Sequence, residues 1–248
     1  VRAVGLNFKD VLNVLMPDEA AYVGETPLPG TDFAGVVTAL PSAHRTDLAV
    51  GDAVFGMCME RDGMLRTQAT VRSSTLARMP GGVSFEEAAH MPMVFLTVEF
   101  ALNEQAKLQK GERLLVHSAA GGVGIAAIQY AQRVGAEVYA TASAPKHDFL
   151  RSLGVKHIST SRDPEVFKRE MQAMVGDRGV DVVLNSLTSD GYIDATVSLV
   201  APKGRFIEIG KRNIWSKEKM AEVRPDVFYE THSLNELLPT EPERLVPM

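Results

Sequence analysis

The hexapeptide Ala119-Ala120-Gly121-Gly122-Val123-Gly124 restricts this chain to few folds. It follows the apolar run Leu114 to Ser118 (LLVHS) and opens IAAIQYAQRVG, whose apolar residues recur at helical spacing. The pattern is G-x-G-x-x-G with alanine at the first place, between a predicted strand and a predicted helix. Its second glycine, Gly121, lets the backbone approach a pyrophosphate, and its third, Gly124, lets helix and strand pack closely. The anion then lies against the helix N-terminus, where unpaired N–H groups and the dipole favour negative charge. The competing reading is a packing turn without a ligand. Strand, turn and helix all fall where the motif demands, which weighs against it.

The sequence on both sides fits this frame. After the glycine turn come EVYATA (Glu137 to Ala142), a helix-like HDFLRSLG, KHIST, and a helical stretch from Pro164 to Val175. VDVVLNSL (Val180 to Leu187), a further helix and GRFIEIG (Gly204 to Gly210) follow, and PDVFYET (Pro225 to Thr231) reads as a last strand. Short apolar runs alternating with helical patterns are the mark of βαβ units and a parallel sheet covered on both faces. The segment up to about Met93 differs, with brief apolar runs broken by glycine and proline at Pro27–Gly30, Phe33–Leu40 and Val50–Met57. It reads as a β-rich unit containing a helical turn at Phe8–Val14. The texture changes near Val94 to Leu102. We therefore expect an α/β chain of two domains, residues 1–95 and 96–234, with 235–248 a return segment.

Composition narrows the function. The chain has 248 residues, room enough for two modest domains, and its formal charge of −5 argues against nucleic acid or an anionic membrane as the main partner. Cys58 is the sole cysteine, which excludes an internal disulfide and a multi-cysteine zinc site. None of the six histidines (His44, His90, His117, His147, His157, His232) has a partner at metal-ligand spacing, so no metal is expected. No apolar run approaches a membrane span of about 20 residues, and VRAVGLNFKD carries no signal-peptide pattern. A cytoplasmic enzyme domain is the expectation.

The residues also bear on which dinucleotide binds. An NAD site places an acidic residue about 20 residues beyond the glycines, at the end of the second strand. That region reads Thr141-Ala142-Ser143-Ala144-Pro145-Lys146, without a carboxylate until Asp148, and Ser161-Arg162 closes the next run. Hydroxyls with two cations suit a phosphate on the adenosine ribose, so NADPH is preferred over NADH. The alternative is that Lys146 and Arg162 are solvated surface charges. His117, inside LLVHS, reads as a strand histidine with satisfied nitrogens rather than a base. Met57-Cys58-Met59 reads as pliable core.

LLVHSAAGGVG, GVDVVLNSL and GRFIEIGK, together with AVGLNFKDVL, GDAVFG and FEEAAHMPMVFLT, resemble the enoyl reductase domains of polyketide synthases and animal-type fatty acid synthases. These belong to the medium-chain dehydrogenase/reductase superfamily, and the resemblance runs from Val1 to about Leu238. It implies a GroES-like substrate domain and a Rossmann domain with the active site in the cleft between them, in the zinc-independent branch. The implied reaction is hydride transfer from NADPH to the β-carbon of an enoyl-phosphopantetheine thioester on an acyl carrier protein, with a proton added at the α-carbon. The implied partners are that carrier protein and the other domains of a megasynthase.

Residue by residue, Lys211 in EIGK matches a proposed proton donor, next to a Gly210 that would admit a ligand closely. Asn7 in GLNFKD matches the nicotinamide side. Ser143, Lys146, Ser161 and Arg162 match holders of the 2′-phosphate, and Thr97 and Asn185 match positions near the cofactor. With Gly121, Gly122, Val123 and Gly124 these make up the expected cofactor set. Surface lysine and turn-forming asparagine are the plain alternatives for Lys211 and Asn7.

Two departures stand out. VFYETHSL puts Ser233 where the family commonly has an aspartate, leaving the acid role to Lys211, His232 or water. MPDEAAYVGETPLPG is longer than usual, and Tyr22 within it matches a tyrosine that influences the stereochemistry of protonation. The chain also starts inside an expected strand and stops where the family's last helix begins, which reads as part of a reductase domain. Two other readings compete: a free-standing quinone oxidoreductase and a non-catalytic domain of a synthase.

Overall fold

A computed structural model describes residues 1–15, 28–41, 47–58 and 63–232. These divide into two compact units, one ending at Leu96 and the other beginning at Thr97.

The first unit is an antiparallel sheet of β1 (Ala3–Gly5), β2 (Asp32–Val36), β3 (Ala53–Met57) and β4 (Leu76–Arg78), hydrogen-bonded in that order. α1 (Phe8–Leu15) follows β1, and α2 (Phe85–Ala88) follows β4. Ser84 opens α2 with a reciprocal cap: its hydroxyl accepts from Glu87 N–H while the Glu87 carboxylate accepts from Ser84 N–H. Gly5 is required where α2 ends, because a Cβ there would lie 2.1 Å from the Ala89 carbonyl oxygen. α3 (Pro92–Val98) continues into a π-helical turn at Glu99–Gln105.

The second unit alternates strand and helix. It comprises β5 (Arg113–Val116), α4 (Gly122–Val134), β6 (Glu137–Ala142), α5 (His147–Ser152), β7 (His157–Thr160) and α6 (Pro164–Val175). β8 (Val180–Asn185), α7 (Tyr192–Ser198), β9 (Val200–Glu208), α8 (Lys217–Val223) and β10 (Phe228–Thr231) complete it. Its six strands lie in the order β10-β9-β8-β5-β6-β7, and every pairing is parallel. This is the doubly wound order of a Rossmann fold, and the order reverses between β5 and β8. Leu115, Tyr139, Phe167, Met171, Val183, Tyr192 and Phe206 form the core on one face of the sheet.

The runs read as strands in the second unit are strands here, as are parts of those at Phe33–Leu40 and Val50–Met57, whereas Leu28–Gly30 forms none. β9 begins earlier than GRFIEIG, at Val200. α8 was not foreseen: in KEKMAEV only Met220 is buried, so the helix has no apolar stripe to read.

Candidate active site

Ligands of open α/β sheets bind at the carboxyl ends of the strands, where the strand order reverses. The turn from β5 into α4 lies there. Gly121 is the N-cap of α4, so the first N–H groups of that helix, from Gly122 to Gly124, have no acceptor within the helix. A Cβ on Gly124 would lie 2.4–2.5 Å from Ala119 backbone atoms, whereas one on Gly121 would meet only the Ser118 carbonyl oxygen at 3.3 Å. Helix-to-strand packing therefore demands glycine at 124. The fold alone does not demand it at 121, where the missing side chain leaves the backbone open to a ligand. The donor set and the open backbone fit a dinucleotide pyrophosphate.

The turn is held from below by His117. Thr196 Oγ1 donates to the Tyr192 carbonyl (2.7 Å) and so accepts from His117 Nε2 (2.9 Å). Thr141 Oγ1 accepts from Ser118 N–H (3.2 Å) and donates to His117 Nδ1 (3.0 Å). The imidazole is thus a neutral Nε2–H tautomer, and burial pushes its pKa down to about 3. This chain of bonds links β6, the turn and α7, and it supports Ser118 at φ +52°, a left-handed backbone that a side chain disfavours. His117 is therefore a structural group and not a base.

The other expected cofactor residues lie at neighbouring strand ends. Ser143 caps the 3₁₀ turn after β6, and Lys146 is its last residue. Ser161 and Arg162 follow β7, and Ser161 N–H donates to the Ala142 carbonyl at 3.2 Å, tying the two loops together. Lys146 and Arg162 are exposed. The nearby carboxylates are engaged elsewhere: Asp148 pairs with Arg151 (2.7 Å), and Asp163 caps α6 by accepting from Glu165 and Val166 N–H. Thr97 is buried on α3.

Asn185, at the end of β8, is fully buried and its Nδ2 donates to Glu208 Oε2 at 2.5 Å. Sequence reading missed Glu208. It lies completely inside, its Oε1 accepts from Gly210 N–H at 2.6 Å, and burial pushes its pKa up to about 7 against these bonds and the Lys211 cation. The space beside Gly210 belongs to protein: a Cβ there would lie 2.7 Å from Glu208 Oε1 and 2.8 Å from Thr188 Cγ2. Lys211 follows, its ammonium donating to the His232 carbonyl. His232 is itself buried, donates from Nδ1 to Gln105 Oε1 at 3.1 Å, and leaves Nε2 without a partner among the described residues. Burial and the Lys211 charge push its pKa down to about 4. A neutral imidazole of that kind is a poor acid near pH 7. Ser233 lies outside the described residues.

The first unit carries Asn7 at the head of α1. Asp10 holds it by accepting from Asn7 N–H (2.7 Å) and also accepts from Gly30 N–H (3.0 Å). Asn7 Nδ2 donates to Asp32 Oδ2 at 3.1 Å, which also accepts from Met93 N–H at 3.1 Å. Asp32 is a second group the sequence reading passed over. It is buried, its Oδ1 has no partner among the described residues, and burial pushes its pKa up to about 7. A carboxylate isolated in an apolar strand run was the available signal for both Asp32 and Glu208, because such groups are buried only when paired. Tyr22 lies outside the described residues. Among those residues no three His, Cys, Asp or Glu side chains converge on a metal site.

Residues 1–100 match the alcohol dehydrogenase GroES-like domain family, and residues 122–235 match the family described as zinc-binding dehydrogenase. The described side chains do not fit the metal in that second description. The chain is 44% identical over 252 residues to the pikromycin polyketide synthase component PikAII of Streptomyces venezuelae, matching all of this chain and 6% of that protein. It spans about a tenth or less of that synthase and of the Pks15/1 phenolphthiocerol synthase of Mycobacterium marinum, which is 41% identical over 248 residues (99% of this chain and 11% of that protein). Among solved structures it resembles the CurK enoyl reductase, with 43% identity, a TM-score of 0.90, and coverage of 100% of this chain and 75% of that one. With a full-length match of this kind to CurK, both family matches in order and the Rossmann strand order in the second unit, the chain belongs to the enoyl reductase domains of type I polyketide synthases, in the medium-chain dehydrogenase/reductase superfamily, whose members use NAD(P)H.

Proposed function

We propose that the chain uses NADPH to reduce the α,β-double bond of an enoyl thioester carried on the phosphopantetheine arm of an acyl carrier protein, among the other domains of a cytoplasmic synthase. The observation that carries the choice of NADPH is the pair of exposed cations, Lys146 and Arg162, on two loops tied together at the ends of β6 and β7, with the neighbouring carboxylates Asp148 and Asp163 engaged elsewhere. When bound, the dinucleotide supplies the hydride that adds to the β-carbon of the thioester. Gly121 leaves the backbone of the turn open to the pyrophosphate, with Gly122, Val123 and Gly124 offering N–H groups. Ser143, Lys146, Ser161 and Arg162 hold the 2′-phosphate, through charge-assisted hydrogen bonds from the two cations. Thr97 completes the cofactor side, whereas the Asn185 amide and the space beside Gly210 are taken up by Glu208.

The Lys211 ammonium delivers the proton to the α-carbon and regains one from solvent. Lys211 is a better acid here than His232, whose ring is held neutral. Asn7, held by Asp32 and Asp10, is assigned to the nicotinamide and Tyr22 to the stereochemistry of protonation, both on the resemblance alone.

The test follows NADPH oxidation with an enoyl-pantetheine thioester and, separately, with a quinone. Turnover of the thioester is expected. Turnover of the quinone alone would overturn the reading in favour of a quinone oxidoreductase. An intact protein that binds no NADPH would make the chain a non-catalytic domain.

A further inference from the structure

Glu208 ends β9 between two strands, with Asn185 of β8 as its register partner on one side and Thr231 of β10 on the other. Three separate contacts meet on it. Its Oε1 accepts from Gly210 N–H, its Oε2 accepts from Asn185 Nδ2, and its main-chain carbonyl accepts from His232 N–H at 2.7 Å. The His232 carbonyl in turn takes the Lys211 ammonium. The turn from Gly210 to Lys211 is therefore anchored at both ends, by its first N–H and by its ammonium, and both anchors lead back to the same glutamate. Side-chain room agrees, since the carboxyl and the Thr188 methyl leave no place for a Cβ at 210.

We propose that Glu208 is a positioning residue for the reaction, locking the Gly210–Lys211 turn so that the ammonium is presented in one place. The inference rests on the reading of Lys211 as the acid. Burying a carboxyl is costly unless it is hydrogen-bonded, and an apolar side chain of similar volume would fill the same interior without that cost. What the apolar side chain lacks is an acceptor for Gly210 N–H. Asn185 supplies the other half, since its amide fixes the plane of the carboxyl and so aims Oε1 at the turn. Lys211 is the nearby cation, and the Tyr229 phenol of β10 has its pKa raised by burial and then by the charges of Glu208 and Glu230. A proton transfer needs its donor within hydrogen-bond reach and aligned, and misplacement of about 1 Å can cost about a hundredfold in rate. The lock matters on that scale.

The experiment exchanges the two side chains. Glu208→Gln keeps the shape, but whichever amide flips, two donors now face each other among Asn185, the new amide and the N–H groups of Gly210 and Leu187. Adding Asn185→Asp restores acceptor opposite donor. The single variant is expected to lower kcat on the enoyl-pantetheine thioester at least tenfold, with NADPH affinity within twofold of wild type. It is also expected to speed hydrogen exchange at the Gly210 amide about tenfold. The double variant is expected to return kcat to within threefold of wild type and exchange to the wild-type rate.

Wild-type kcat and exchange in Glu208→Gln would overturn the proposal. So would a double variant that regains the melting temperature but not kcat. Should the single variant fail to fold, the double variant alone decides: kcat within threefold supports the lock and a tenfold loss refutes it. If wild type turns over no thioester, the functional reading fails, and hydrogen exchange at Gly210 still decides whether Glu208 holds the turn.

Discussion

Lys146 tests the cofactor assignment at the level of a single side chain. It is exposed and stands at the end of β6, where an NAD-specific site would place an acid. A charge-assisted bond to phosphate contributes about 1.5–3 kcal/mol, so Lys146→Ala should raise the Kd for NADPH about tenfold or more and leave that for NADH within twofold. Equal losses for the two cofactors in a fluorescence titration would show that the lysine is only a solvated charge. The residues that prompt this assignment could be picked out in the sequence, because they sit within a few positions of one another in two short stretches. For Glu208 and Asp32 the sequence offered only an isolated carboxylate in an apolar run, and not the part each plays. Each owes its meaning to a partner brought in from another strand or helix, Asn185 for one and Asn7 for the other. Periodicity along a strand carries no record of that partner.

Among the elements, the glycine turn separates packing from binding. Gly124→Ala would drive a methyl into Ala119 backbone atoms at 2.4–2.5 Å, which cannot step aside as a side chain can. A loss of stability of about 2–4 kcal/mol is expected, visible in urea unfolding. Gly121→Ala meets a single carbonyl at 3.3 Å with no positive φ to strain it, so its stability should stay within about 1 kcal/mol of wild type. Its NADPH affinity should nonetheless fall at least tenfold, because the methyl takes the place of the pyrophosphate approach. A Gly121→Ala protein that binds NADPH normally would show that the turn does not face the phosphates. The strands around it were readable because a parallel sheet buried on both faces needs near-continuous apolar runs, as in LLVHS and VDVVLNSL. α8 offered no such run and escaped.

Over the whole molecule, the two buried carboxyls leave a signature in stability against pH. Asp32 and Glu208 each have a pKa raised to about 7 in the folded chain, from ordinary values of 3.8 and 4.5. A raised carboxyl pKa means that the fold holds the proton more tightly than the unfolded chain does. Its stabilising contribution is complete below about pH 4 and is lost as pH rises through about 7. Acids with lowered pKa values, such as exposed Glu87 and half-exposed Asp52, act in the opposite direction, so the effect is read as a difference between proteins. Asp32→Asn retains an acceptor for Asn7 and Met93 and removes the titration. Its stability relative to wild type should rise by about 2 kcal/mol between pH 5 and pH 8 in urea melts followed in the first unit. A difference that stays flat across that range would mean that Asp32 does not titrate near pH 7.

The strand order has a further consequence, for how the chain is made. β5 is hydrogen-bonded on one side to β6, which follows it directly, and on the other to β8, which begins only at Val180. As the polypeptide leaves the ribosome, Leu114–Val116 must wait with one edge bare while β6, β7 and α6 are synthesised. Such an edge readily recruits other chains, and pairings distant in sequence form slowly. The glycine turn waits with it, because His117 N–H closes on the Leu184 carbonyl of that same late strand. Nucleotide therefore cannot shepherd the nascent domain through its most adhesive stage. The help it gives by binding arrives only after β8 has docked and the danger has passed.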